Sequence, residues 1–161
     1  DYLLWPAAGI TLIFLLMFSG GSTGSTSGGI KLARHLIFLK NVKRTLLRVS
    51  HPNAVVTVKL NGKSLDERTN ISVISFIVLY FFIFITGTAV MAVSGSDLIT
   101  SASSVATCLA GIGPGLGSVG PMSNFSALND FSKMALSFIM ILGRLEIIPV
   151  FILFSRSFWK L

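Results

Sequence analysis

The apolar positions of this chain fall into long blocks, not into the short alternations of a soluble domain. Ile71 to Val93 runs for about 23 residues without a charge, and a helix needs about 20 to cross a bilayer. Phe131 to Phe154 is a second block of spanning length, followed by Arg156, Trp159 and Lys160. Two other blocks are shorter. Trp5 to Phe18 carries Pro6 near its start, where a first helical turn tolerates proline. Leu98 to Leu109 follows Ser94-Gly95-Ser96-Asp97, a turn whose Asp97 or Ser96 is placed to cap a helix. Neither short block can span a membrane, and both read as half-spanning, re-entrant helices.

Each short block leads into glycine. The first is followed by Gly20-Gly21-Ser22-Thr23-Gly24-Ser25-Thr26-Ser27-Gly28-Gly29, the second by Gly111-Ile112-Gly113-Pro114-Gly115-Leu116-Gly117. No lysine lies near the second run, so it is not a phosphate loop. A flexible linker is the alternative reading of the first. Between the repeats, Ile30 to Val49 intersperses leucines with Lys31, Arg34, Lys40, Lys43, Arg44 and Arg48. This predicts an amphipathic basic helix, lying on a surface or forming the inner end of a pore helix. Val55 to Leu60, Asn61-Gly62 and Lys63-Ser64-Leu65 predict a small β-hairpin outside the membrane, because Asn-Gly suits a two-residue turn. A polar loop then runs from Ser118 to Asn129.

Composition supports a membrane protein. Of 161 residues, 52% are apolar and 12% charged, against about 25% charged in a soluble domain. Cys108 is the sole cysteine, so no disulfide forms within the chain. Asp1 is not an initiator, no signal peptide follows it, and the chain reads as part of a longer protein. The net charge of +7 raises nucleic acid as a partner, but its distribution argues against one. Nine Lys/Arg residues lie between Lys31 and Arg68, and around Asp97 and Asp130 there is only Lys133. The positive-inside rule puts the basic segment and the C-terminus in the cytoplasm, and the glycine runs approach from the outer side. A helix goes out, a short helix dips in, a glycine loop follows, and a helix returns. The second half shows this unit whole and the first half lacks its outward helix, an internal repeat in one orientation.

Irregular backbone at membrane depth must be buried or line a wet cavity. Glycine exposes carbonyl oxygens without obstruction and permits positive φ. Rings of carbonyls replace a cation's hydration shell, and the negative C-terminal end of each short helix favours a cation. Neither loop holds a carboxylate, which points to a large monovalent ion. Arg144 lies within the last apolar block. Glu146, two residues on, points to another helical face, and a membrane arginine needs a partner. Carbonyls in the stretch from Gly28 to Ala33 are candidates, and a pairing with Glu146 through a neighbouring helix is the alternative. Pro149 is expected to kink or weaken the same helix. His35 and His51 have no companions at metal-ligand spacing. The six acidic residues are scattered, so no catalytic cluster marks an enzyme.

The run from Gly20 to Lys31, Gly113-Pro114-Gly115-Leu116-Gly117 and Gly143-Arg144-Leu145-Glu146-Ile147 together resemble the Trk/Ktr potassium-uptake family, closest to its Trk-type membrane subunit, over essentially the whole chain. The resemblance implies an all-α membrane protein of helix–re-entrant pore helix–filter loop–helix repeats with a small cytoplasmic β-hairpin. Residues 1–54 would hold a partial third repeat, 55–70 the hairpin and linker, and 71–161 the fourth repeat. It implies filter strands at Ser22, Thr23, Gly24 and Ser25 and at Ala110, Gly111, Ile112 and Gly113, with Gly24 and Gly113 central. It implies a gating loop after Gly28, including Gly29 and Lys31, that Arg144 contacts. K+ would be the transported ion, bound at the filter residues, with no covalently bound cofactor. The partners implied are membrane lipid, a second copy in a homodimer and a cytoplasmic nucleotide-binding regulatory ring, with no nucleic acid, in the cell inner membrane. The chain departs from relatives in carrying Ala110-Gly111 where they often have asparagine, which bears on how the fourth strand is braced. Against transport stands a non-transporting membrane interaction subunit or a basic membrane anchor.

Overall fold

The structure, a computed structural model, describes residues 5–25, 27–51, 56–60, 62–154 and 159. Thr26, Val55, Asn61, Arg156 and Lys160, which figure in the sequence reading, lie outside them. The order is α1 (Ala7–Leu16), α2 (Leu32–Ser50), β1 (Lys59–Leu60), β2 (Lys63–Ser64), α3 (Glu67–Val93), α4 (Leu98–Ala110), α5 (Asp130–Arg144) and α6 (Ile147–Phe154). All are helical except one antiparallel two-stranded ribbon, in which Lys59 pairs with Ser64 and Leu60 with Lys63. The hairpin forms where the turn chemistry predicts it, with Gly62 at φ 81°. Its strands are shorter than the alternation suggests.

α3 has 27 residues, about 40 Å at 1.5 Å each, and is long and apolar enough to cross a membrane. Its buried residues Phe76, Tyr80, Ile83, Gly87 and Met91 recur at helical spacing and form one face. Val78, Phe82 and Ile85 are exposed, as suits lipid contact. At Gly87 a Cβ would stand 2.9 Å from Ile139 Cδ1 and 3.1 Å from Val105 Cγ1, so glycine there lets α3 approach α4 and α5.

α4 is the centre of the fold. Every residue from Ser103 to Ala110 is buried, as are Thr100 and Ser101. The helix is Leu-Ile-Thr-Ser-Ala-Ser-Ser-Val-Ala-Thr-Cys-Leu-Ala, mostly small side chains, which let helices pack closely in a membrane. Its start is the predicted cap: the Asp97 carboxylate accepts from the Thr100 amide at 3.1 Å. Hydrogen bonds from Thr100, side chain first and then backbone, hold this carboxyl below its ordinary value. That contribution is therefore full above the usual carboxylate range and disappears as pH falls through the lowered value. Asp97→Ala is expected to cost about 1 kcal/mol, read as a lowered thermal midpoint of the full-length protein at neutral pH.

The last apolar block differs from expectation. It is not one spanning helix. α5 and α6 meet at a bend of 107°, and Glu146 between them has φ 59°, a left-handed conformation uncommon outside glycine. Pro149 explains the position of the break. Proline in a helix interior removes a hydrogen bond and clashes with the preceding turn. With the break before Ile147, Pro149 falls in the first turn of a new helix, where its missing N–H costs nothing.

Candidate functional site

Both glycine runs follow the C-terminal end of a short helix. α1 ends at Leu16 and its loop returns beside its own start: Ser19 and Ile30 form a parallel bridge, and the Gly20 amide donates to the Ile30 carbonyl at 2.9 Å. Inside this closed loop Ser27 Oγ accepts from the Gly21 amide at 3.1 Å, and Ser25 and Ser27 hydroxyls lie 3.0 Å apart. The Ser25 amide donates to the Ser22 carbonyl at 2.9 Å, so Ser22, Thr23, Gly24 and Ser25 make a turn. Gly21 permits this, since a Cβ there would meet the Ser25 and Ser27 hydroxyls at 2.7 and 2.8 Å.

The second loop leaves α4 through Gly111, at φ 67° and ψ 35°. Glycine and, after it, asparagine are the residues that accept this left-handed cap. The chain then runs back along α4, held by side-chain hydroxyls of that helix. Thr107 Oγ1 accepts from the Gly113 amide at 2.9 Å. Ser103 Oγ accepts from the Leu116 amide at 2.9 Å and lies 3.1 Å from the Leu116 carbonyl. Thr100 Oγ1 accepts from the Ser118 amide at 3.1 Å. These three hydroxyls fall at i, i+3 and i+7, one face of α4. The sequence reading missed them. Their spacing in an uncharged helix ahead of a glycine run is the signal that would have found them. Thr107→Val keeps shape but removes the acceptor for the Gly113 amide. It is expected to cost about 1–3 kcal/mol if that amide stays unpaired, read as a lowered thermal midpoint of the full-length protein.

The two loops meet at the end of α4. A Cβ on Gly28 would stand 2.8 Å from the Leu109 carbonyl oxygen and 2.9 Å from that of Ala110. Gly143 of α5 approaches from another side, where a Cβ would lie 2.8 Å from the Leu109 carbonyl carbon and closer still to its oxygen. Gly28 and Gly143 thus flank the peptide that leads into the second glycine loop. Gly24 and Gly113, the two central glycines, have nothing within 4 Å of a built Cβ.

Charged side chains from distant parts of the chain meet at the α5–α6 break. Glu146 reaches the start of α2, accepting from Lys31 Nζ at 2.8 Å and from Arg34 at 3.2 Å. The Arg34 guanidinium also lies 3.9 Å from the centre of the Phe76 ring, a cation–π contact. Glu146 is therefore the side chain that ties the break to the stretch after Gly29. Arg144 ends α5 and is exposed. His35 Nε2 lies 3.4 Å from the Phe18 carbonyl. No group of three or more His, Cys, Asp or Glu suited to a metal occurs among the described residues.

A short helix, a glycine loop and a returning helix, repeated and arranged around the buried end of α4, define a pore-loop membrane protein. The chain belongs to the TrkH family of cation transport proteins, whose model matches residues 1–161. It is 42% identical over 160 residues to the Trk system potassium uptake protein TrkG of Escherichia coli K12, covering 99% of this chain and 33% of that protein. It is 37% identical over 156 residues to TrkH of the same organism, covering 97% and 32%. The crystal structure of the potassium transporter TrkH from Vibrio parahaemolyticus superposes with a TM-score of 0.88 at 34% identity, covering 99% of this chain and 34% of that one. The chain thus spans about a third of the length of these relatives. It is part of an integral membrane protein, mostly helical as expected.

Proposed function

We propose that this chain forms the last part of a potassium uptake pore, supplying two of four filter segments to one ion path. The ion is coordinated by backbone carbonyls of Ser22–Ser25 and of Ala110–Gly113, and the remaining segments come from upstream repeats of the full-length protein. The observation that carries the reading is the pair of glycine loops at helix C-termini, each free of carboxylate and open at its central glycine. Carbonyl oxygens in such a loop replace the hydration shell of a large monovalent cation. Transport, not catalysis, is the activity.

In this reading Gly28, Gly29 and Lys31 belong to a gating segment, and Arg144 sets a positive barrier below the filter. The basic segment and C-terminus face the cytoplasm of a cell whose inner membrane holds the protein. The assembly is a homodimer that docks a nucleotide-binding regulatory ring on its cytoplasmic side. The test is rubidium or potassium flux into liposomes holding the full-length protein. Flux is expected. Its absence would leave a non-transporting membrane subunit and end the transport reading. Arg144→Ala is expected to raise flux several-fold if the arginine is a barrier, and unchanged flux would assign it to assembly.

A further inference from the structure

The end of α2 farthest from its glycine loop carries a second constellation of charged side chains. Lys40, Lys43, Arg44 and Leu47 stand at i, i+3, i+4 and i+7, one face of the helix. Strand β1 lies against that face, where Lys40 Nζ donates to the Lys59 carbonyl at 2.6 Å. A pocket of about 240 Å³ opens between them, lined by Lys40, Lys43, Arg44 and Lys59 with Leu47 and Val58 on its apolar wall. Among the described residues, four cationic side chains line it and no carboxylate does. Glu67 pairs with Arg44 at 3.3 Å but is not among the lining residues.

The lysine and arginine side chains at this pocket repel one another, and among the described residues Glu67 offsets only Arg44, at 3.3 Å. One anion with several acceptor oxygens would relieve that repulsion. Phosphate matches best, since a guanidinium presents its donors as a planar fork that suits phosphate oxygens and lysines add point charge. The surroundings indicate where that phosphate comes from. Leu36, Leu39 and Leu46 are exposed along the same helix, and a clustered basic patch at a membrane surface attracts anionic lipid.

We propose that this pocket binds the phosphate of an anionic phospholipid headgroup, with the lipid chains lying along the exposed leucines of α2. The site fixes the hairpin against α2 and depends neither on transport nor on which side of the membrane it faces.

The experiment uses the full-length protein in detergent, titrated with phosphatidylglycerol, with phosphatidylcholine or with inorganic phosphate alone. Bound lipid is counted by native mass spectrometry and the thermal midpoint is followed in parallel. Phosphatidylglycerol is expected to be retained and to raise the midpoint, and phosphatidylcholine to do neither. The Lys43 side chain makes no hydrogen bond or ion pair to another of the described residues, so Lys43→Gln is expected to fold. It should retain several-fold less phosphatidylglycerol, with Lys43→Arg restoring retention. Equal retention by wild type and Lys43→Gln, or equal retention of the two lipids, overturns the proposal. A midpoint rise with inorganic phosphate that matches the lipid's overturns it in favour of a soluble anion. Because the readout is binding in detergent, an inactive or inverted transporter leaves the result interpretable.

Discussion

Gly143→Ala is expected to destabilise the packing of α4 on α5 more than any other single-methyl change in this chain. Gly143 sits on α5 where it crosses the last turn of α4, and a Cβ there would lie 2.8 Å from the Leu109 carbonyl carbon and 2.9 Å from its Cα. Both partners are helical backbone, so no side chain can rotate to make room. Overpacking a core by a methylene costs about 1–3 kcal/mol, and a clash between two backbones belongs at the upper end. The displaced peptide is the one that leads into Gly111, so flux should fall with stability. Gly28→Ala meets the Leu109 carbonyl as well, together with that of Ala110. The double variant should therefore be less destabilised than the sum of the singles, since neighbours sharing a partner do not add. Thermal midpoints of the four proteins, with rubidium uptake beside them, measure this. An unchanged midpoint for Gly143→Ala would mean that α4 and α5 do not pack as described.

Which parts were legible follows from what local sequence encodes. The charge-free block that became α3, the Asp97 cap and the Asn-Gly hairpin depend on neighbours along the chain. So does the order of short helix, glycine loop and returning helix. The break at Leu145-Glu146 was legible as a kink or weakening expected from Pro149, but not in its position or its angle of 107°. Apolar content runs through it from Phe131 to Phe154, and Pro149 marks a boundary that lies before it, not at it. On a straight helix Glu146 faces away from Arg144. Once the helix turns by 107°, its carboxylate meets Lys31 and Arg34, over a hundred residues earlier in the chain. The same holds for Asn41 and Asn70, which exchange side-chain hydrogen bonds between α2 and α3. Either asparagine alone reads as an ordinary polar residue. The hydroxyls of Thr100, Ser103 and Thr107 carried a local signal, but their role depends on a loop folding back along its own helix.

The two central glycines should respond differently to the same substitution. At Gly113 φ is 112°, a conformation that residues with a Cβ rarely adopt, while the space beside it is open. The penalty for Gly113→Ala is therefore in the backbone, about 1–3 kcal/mol for holding a non-glycine residue in such a region. The chain escapes that penalty by rotating toward negative φ. Rotation takes the Gly113 amide off Thr107 Oγ1, now 2.9 Å away, and turns the carbonyls on either side of it. If those carbonyls bind the ion, a change of about 1.4 kcal/mol in their preference is already tenfold in discrimination. Gly113→Ala is thus expected to leave folding nearly intact and to lose roughly tenfold or more in potassium-over-sodium selectivity. Gly24 has the same open surroundings but no left-handed φ. Alanine fits its backbone, so Gly24→Ala should change selectivity much less. Competing rubidium and sodium uptake by the two variants separates the possibilities. Equal sensitivity at both positions would mean that the glycines keep a methyl group out of the ion path, and that the backbone conformation at Gly113 is not what selectivity depends on.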